Sequence, residues 1–281
     1  MTAGKSGGDL TTDISAWLDS ARTMAADAGK ILMNWYGGPC RTERKGVVDL
    51  VTEADRAAES QILGAIRERF PEHSVLAEES AGTEWRILAD EGIRAEAPLW
   101  LIDPLDGTTN FAHGFPWFCV SIGVAVKGEV VAGVVHDPLR GETFEAAKGI
   151  GARFNGARVS VSSVRSLDES LLVTGFAYDI RTNPETNLDT FARFALRCQG
   201  VRRTGSAALD LCAVAAGRAD GFWELRLKPW DTAAGWLIVQ EAGGRVTDGR
   251  GDLFHLTAPV IVASNGRIHD EMIETLRTVK G

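Results

Sequence analysis

Little in this chain points to zinc, thiol or disulfide chemistry. Its four cysteines, Cys40, Cys119, Cys198 and Cys212, are scattered without a Cys-x-x-Cys pair, so they offer neither a zinc spacing nor a disulfide framework. That usage suits a reducing, cytoplasmic setting. The five histidines, His73, His113, His136, His255 and His269, form no ligand cluster. No apolar run reaches the ~18 residues of a membrane span, and the first eight residues have no apolar h-region, so neither a span nor a signal peptide is expected. Those eight residues read as a loose tail. The chain shows no internal repeat, low-complexity tract or Gly-x-Ser-x-Gly nucleophile elbow. Gly4-Lys5-Ser6 lacks the strand and glycine that precede a phosphate loop. The glycines of residues 149–156 have the wrong spacing for a dinucleotide fingerprint and read as a hairpin turn.

Basic residues are also in deficit. Thirty Lys and Arg face 38 Asp and Glu, for a net charge of −8, which argues against non-specific nucleic-acid binding. An acidic protein can still bind a phosphate ester if bound cations reverse the local potential. With 281 residues, 44% hydrophobic and 24% charged, the chain is an ordinary globular protein, large enough for two lobes.

Apolar residues recur at helical spacing from Ile14 through Trp17, Ala21, Met24, Ala28 and Leu32 to Trp35, and Gly37-Gly38-Pro39 stops them. A second helix is expected from Thr52, as N-cap, to Phe70-Pro71. The alternating segment from Lys45 to Asp55 reads as a strand that carries Asp49 and feeds this helix. Ser74 to Ala77 reads as a strand ending in Glu78-Glu79. From Cys119 to Ser162, β-rich runs alternate with turn signals at Lys127-Gly128, Pro138 to Gly141 and Asn155-Gly156, which predicts an antiparallel meander. Beyond about Arg165 the pattern changes. Strands are expected at Leu171 to Thr174, Gly221 to Glu224 and Val260 to Ala263, with helices at Leu188 to Cys198, Ala207 to Ala216, Asp231 to Ala242 and Ile268 to Val279. The expected organisation is an α+β lobe with an antiparallel sheet over residues 1–165 and an α/β lobe over residues 166–281.

The stretch from Trp100 to Asn110 concentrates the chemistry. Leu99 to Ile102 reads as a buried strand that delivers Asp103 to its end, and Pro104 is expected to turn the chain there, bringing Asp106 round to the same point. Gly107, Thr108 and Thr109 follow as a small-residue turn whose amides and hydroxyls can meet an anion. Hard-cation ligands thus sit beside a phosphate cradle.

Asp103-Pro-Leu-Asp-Gly-Thr-Thr-Asn-Phe111 resembles the signature of the inositol monophosphatase family of magnesium-dependent sugar-phosphate phosphatases. Two further motifs of that family have matches, in Glu78-Glu79-Ser80 and Trp230-Asp231, and the resemblance runs from about Ser15 to Arg277. It implies a layered αβαβα sandwich of the sugar-phosphatase type with the site between two lobes. It also implies two or three Mg²⁺ ions, sensitivity to lithium and a homodimer.

By that resemblance Glu78 and Asp103 hold a first metal with the Leu105 carbonyl, and Asp106, Asp231 and the shared Asp103 hold a second. Oxygen-only ligation suits Mg²⁺, and paired cations serve phosphoester hydrolysis by activating water and steadying the leaving oxygen. Asp49 and Thr108 are the implied water-activating pair, and Glu78 joins them as a catalytic residue through the metal that binds the water. Gly107, Thr108 and Thr109 hold phosphate oxygens, with Asp106 and Asp231 also against the substrate. Gly205, Ser206, Ala207 and Glu224 meet substrate hydroxyls, and Lys45 stands near the entrance. On the residues alone, plainer readings stay open: helix caps for Asp231 and Ser206, a strand-end charge for Glu224, exposed residues for Asp49 and Lys45, and a solvated edge for Glu79.

The implied reaction is in-line hydrolysis of a small phosphomonoester without a covalent enzyme intermediate. The segment Asp49-Leu-Val-Thr-Glu-Ala-Asp55 resembles the inositol enzymes, which favours myo-inositol 1-phosphate. Fructose 1,6-bisphosphate, histidinol phosphate and 3′-phosphoadenosine nucleotides are the family's other substrates. A role of another class, binding to the transcription machinery, is also found among bacterial members.

Overall fold

The computed structural model describes residues 10–38, 42–44 and 50–277. Helix α1 (Leu10–Trp35) is followed by the short strands β1 (Thr42–Arg44) and β2 (Leu50–Thr52), which pair with each other. Helix α2 (Glu53–Arg69) begins at a capping box, in which Thr52 and Asp55 satisfy each other's backbone N–H groups. Then come β3 (Ser74–Ala77), the single turn α3 (Glu78–Ala81), α4 (Trp85–Arg94), β4 (Leu99–Asp106) and α5 (Thr108–Ala112). The meander follows as β5 (Cys119–Val126), β6 (Glu129–Asp137), β7 (Glu142–Ala147), β8 (Gly151–Phe154) and β9 (Ala157–Arg158). The remainder is β10 (Leu171–Thr174), α6 (Leu188–Ala195), β11 (Gly200–Arg202), α7 (Ala207–Ala215), β12 (Gly221–Leu225), α8 (Pro229–Glu241), β13 (Arg245–Thr247), β14 (Val260–Ser264) and α9 (His269–Arg277).

Strands β3 to β9 form one seven-stranded sheet in chain order, and β11-β10-β12-β14-β13 form a five-stranded mixed sheet. The alternation of side chains along a strand sorts the larger sheet's residues between two buried faces. Trp100 and Ile102 of β4 pack with α1 and α2, whereas Leu99 and Leu101 join the cluster around α7 and α8. Both faces of β4 are therefore covered, which is why its sequence is a continuous apolar run. The five-stranded sheet contributes Phe222 and Ala263 to the α7 and α8 cluster, and Trp223 and Val262 to a third one with α6 and α9. The result is the expected five-layer αβαβα sandwich.

Helix α8 occupies the middle layer and is buried on nearly every side from Pro229 to Val239, as a helix between two sheets must be. It lies close against the larger sheet because Gly123 and Gly133 have no side chains there. A Cβ on Gly123 would stand 2.7 Å from Ala233 Cβ, and one on Gly133 would stand 2.9 Å from Ala234 Cα. This contact fixes the start of α8, and with it Asp231.

The structure corrects several expectations. The chain does not leave the sheet at Pro104: β4 continues to Asp106, and the register slips between Asp103↔Ser121 and Asp106↔Cys119. Three steps on β4 face two on β5, so Pro104 falls in a bulge where its missing N–H breaks no ladder bond. The larger sheet is not wholly antiparallel, since β3 and β4 run parallel. Residues 151–154 form strand β8, so only the two ends of the 149–156 stretch turn. Helix α4 and the three-residue strands β11 and β13 were not foreseen. The expected α6 ends early, at Ala195. Among the described residues no helix is long and apolar enough to cross a membrane.

Candidate active site

The floor of the site is the end of β4. Asp103 is 2% exposed, and its Oδ1 accepts the Leu105 N–H at 3.0 Å. Gly107 then reverses the chain into α5 with φ +99°, in a place where a Cβ would meet the Trp117 carbonyl oxygen at 2.9 Å. Only glycine takes that conformation without strain. Thr108 and Thr109 open α5, where the first amides have no intrahelical acceptor.

The Thr108 hydroxyl is buried between two acceptors, Asp55 Oδ1 and the Leu105 carbonyl, each at 3.0 Å. Asp55 is fully buried at the start of α2, and its other oxygen accepts the Thr52 N–H at 2.9 Å as well as the Thr52 hydroxyl. The capping box that starts α2 thus delivers one carboxylate oxygen to Thr108. Asp49, the expected partner of Thr108, lies outside the described residues, as does Lys45. The sequence singles out Thr52 as N-cap and leaves Asp55 without a role of its own; the signal was the Thr52-x-x-Asp55 spacing of a capping box.

Asp106 faces the start of α7. Its Oδ2 accepts the Ser206 hydroxyl at 2.6 Å and the Ala208 N–H at 2.7 Å. Ser206 Oγ also accepts the Leu209 N–H at 3.3 Å, so this residue caps α7 and holds Asp106 together. Gly205, with φ +92°, turns the chain into that cap. Asp231 stands in the first turn of α8, where its Oδ2 accepts the Lys228 N–H at 2.7 Å. It reaches back to cap the Lys228 amide from the third helical position and faces the site at once.

These acids share one cavity of about 690 Å³, whose wall includes Glu78, Asp103, Leu105, Asp106, Gly107, Thr108, Gly205, Ser206, Ala207, Glu224 and Asp231. Thr109, next along α5, is not on that wall. Burial pushes the Asp103 carboxyl well above the usual range, and the charges of Glu78, Asp106 and Asp231 push it further. Burial raises Asp106 too, although the donors from Ser206, Ala208 and Ala207 pull it down. Asp231 is raised to about 8, chiefly by burial, with the Lys228 N–H opposing and Asp106 and Glu224 adding to the rise. Glu224, 7% exposed on β12, is held well above the usual range by burial and by Asp210 and Asp106, while Arg203 opposes. Asp210, Arg203, Trp85 and Lys228 also line the cavity and were not foreseen.

Such a site attracts positive charge, because each acid raises its neighbours' hold on a proton. Its donors are all oxygens, which fits a hard divalent cation. Among the described residues no three Asp, Glu, His or Cys side chains already stand as a cation cage. The fit therefore rests on donor chemistry and mutual charge, with one oxygen of Asp103 and one of Asp231 each oriented by a backbone N–H.

Comparison with known proteins agrees with this chemistry. The model of the inositol monophosphatase family matches residues 13–280. The inositol-1-monophosphatase of Synechocystis is 45% identical over 267 residues, covering 94% of this chain and 90% of its own. The Nus factor SuhB of Escherichia coli K12 is 43% identical over 262 residues, covering 92% and 95%. The solved inositol monophosphatase from Anabaena superposes with a TM-score of 0.84 at 43% identity, covering 95% of this chain and 98% of that one. A match over nearly the whole chain, in sequence and in fold, leads to one conclusion: this protein is a phosphatase that belongs to the inositol monophosphatase family.

Proposed function

We propose that the protein hydrolyses a small phosphomonoester with Mg²⁺, and that myo-inositol 1-phosphate is its substrate. The observation that carries this reading is the Thr108 hydroxyl, bonded to buried Asp55 at 3.0 Å on the wall of the cavity that collects Glu78, Asp103, Asp106 and Asp231. When bound by those four acids and the Leu105 carbonyl, two or three Mg²⁺ ions supply Lewis-acid charge and lower the pKa of water.

The chain's own groups do the rest. Asp55 accepts the proton of the Thr108 hydrogen bond, which leaves the threonine oxygen's lone pairs to accept from a water and hold it for attack. Asp49, read from the sequence as the partner of Thr108, keeps its place in this proposal, and Asp55 is added as the carboxylate that holds the same hydroxyl. The opening amides of α5, with Gly107 and Thr109, hold phosphate oxygens. Gly205, Ser206, Ala207 and Glu224 orient the polyol, and Asp106 and Asp231 border it. The proposal includes two lobes, residues 1–165 and 166–281, in a cytoplasmic, lithium-sensitive homodimer.

The test is phosphate release from inositol 1-phosphate, fructose 1,6-bisphosphate and histidinol phosphate, with Mg²⁺ and with EDTA. Turnover that needs Mg²⁺ and favours the inositol ester supports the reading, and full turnover in EDTA overturns it. A second reading, a protein-binding role without hydrolysis, is favoured by relatives named Nus factors. It predicts no turnover on any of the three esters.

A further inference from the structure

Trp85 is on the cavity wall, yet it is neither an acid nor a hydroxyl-reading group. It opens α4 and is partly buried. The Lys228 ammonium lies over its ring, with Nζ 4.5 Å from the centroid, and the Trp230 ring meets it edge-on at 6.0 Å and 74°. Lys228 and Trp230 flank Pro229 at the entry to α8, where the Lys228 N–H donates to Asp231 Oδ2 at 2.7 Å.

This arrangement separates the two ends of one residue. The backbone of Lys228 is committed to Asp231, and its charge is near enough to act on that carboxyl. The ammonium nevertheless makes no ion pair with any described carboxylate. It rests on the face of Trp85, where the ring quadrupole compensates part of its lost hydration. A lysine on a flexible four-carbon stem, one turn from a cluster of buried acids, would otherwise have the acids as its strongest partners. There it would compete with any divalent cation.

We infer that Trp85 is a positioning residue that parks the Lys228 ammonium away from the acid cluster and so keeps Asp231 and its neighbours open to cations. The inference rests on the reading that these acids hold Mg²⁺. The Arg86 guanidinium also lies over this ring, with Cζ 5.1 Å from the centroid, so Lys228 at 4.5 Å is the nearer of two cations on it, and Trp230 holds the indole in the plane that Lys228 needs.

The test is direct Mg²⁺ binding by titration calorimetry, at constant ionic strength, on wild type, W85A, W85L, W85F and K228M, with K228M combined into W85A and W85L. Losing the ring face should weaken Mg²⁺ binding by roughly five- to tenfold in W85A and W85L, while W85F keeps most of the affinity. Adding K228M to either variant should return the affinity to within about twofold of wild type, because the competing amine is gone. W85L keeps the bulk, so a folding failure in W85A, read by circular dichroism, leaves the test intact. Wild-type affinity in W85L, or a double variant as weak as the single one, overturns the inference. A wild-type protein that binds no Mg²⁺ and releases no phosphate would sink the underlying reading instead.

Discussion

The Thr108 hydroxyl and Asp55 Oδ1 meet at 3.0 Å although 53 residues separate them, one at the start of α5 and the other in the capping box of α2. Because the second oxygen of Asp55 is held by Thr52, the first has a fixed direction. Thr108→Ala and Asp55→Asn should each lower kcat by about 10²- to 10⁴-fold, the usual worth of a positioned acid–base group, with little change in KM. The double variant should be hardly worse than either single one, since both remove one device. Thr108→Ser should retain most activity. Losses that multiply in the double variant would mean that the residues act separately.

Asp103 carries a different signature, because it is buried among like charges. Asp103→Asn should cut turnover on the order of a hundredfold or more, given that cation-based charge stabilisation is worth several kcal/mol. The same substitution removes a buried charge that Glu78, Asp106 and Asp231 oppose, while its amide oxygen can still accept the Leu105 N–H. The metal-free variant should therefore be more stable than metal-free wild type, by about 1 to 2 kcal/mol. Denaturant unfolding in EDTA reads this, and a less stable variant would show that Asp103 is structurally required.

Asp231 gives a pH dependence with a definite sign. Its folded-state pKa, about 8, exceeds the usual carboxylate value of 3.8, so the folded protein holds this proton where the unfolded chain has lost it. The associated stability is complete below pH 3.8 and is lost as pH rises through about 8. In EDTA the stability of wild type relative to Asp231→Asn should fall over that window, by at most about 1.4 kcal/mol per pH unit. Saturating Mg²⁺ should flatten the trend, because cations take over the compensation. Melting temperatures of both proteins from pH 5 to 8.5 would measure it. A wild type that gains on the variant as pH rises in EDTA would contradict the assignment.

How far the sequence carried this reading depended on whether the signal was local. The β4 run, the Thr52 cap of α2, the meander turns and the three acidic motifs each announce themselves within about ten residues. Pro104 misled because a bulge accommodates it, and nothing near it in sequence shows that β5 is one residue shorter there. Strands β11 and β13 have three residues each and draw their stability from neighbours rather than from propensity. Asp55 was missed because both its roles depend on the fold: one oxygen closes the capping box with Thr52, and the other meets Thr108 from 53 positions away. Gly123 and Gly133 look like weak points of their strands until α8 is seen lying on them.

The last prediction concerns Glu224 and the glycine that makes room for it. A Cβ on Gly175 would lie 2.2 Å from Glu224 Oε1 and 2.4 Å from both Cδ and Oε2, so Gly175→Ala cannot be accommodated with the carboxyl in place. Gly175 is itself on the cavity wall, at the exit of β10, which pairs with β12. The substitution should therefore displace the same group that Glu224→Gln alters chemically. Metal and phosphate contacts are common to every ester, so neither change should much affect a featureless substrate such as p-nitrophenyl phosphate. A site that hydrogen-bonds a hydroxyl discriminates through that contact, so both variants should lose kcat/KM on inositol 1-phosphate, by about 10-fold or more. Measured at saturating Mg²⁺, the two variants should show the same selective loss. Equal losses on both substrates would place Glu224 in support of the acid cluster, and a loss in Glu224→Gln without one in Gly175→Ala would mean that the carboxyl does its work from a different rotamer.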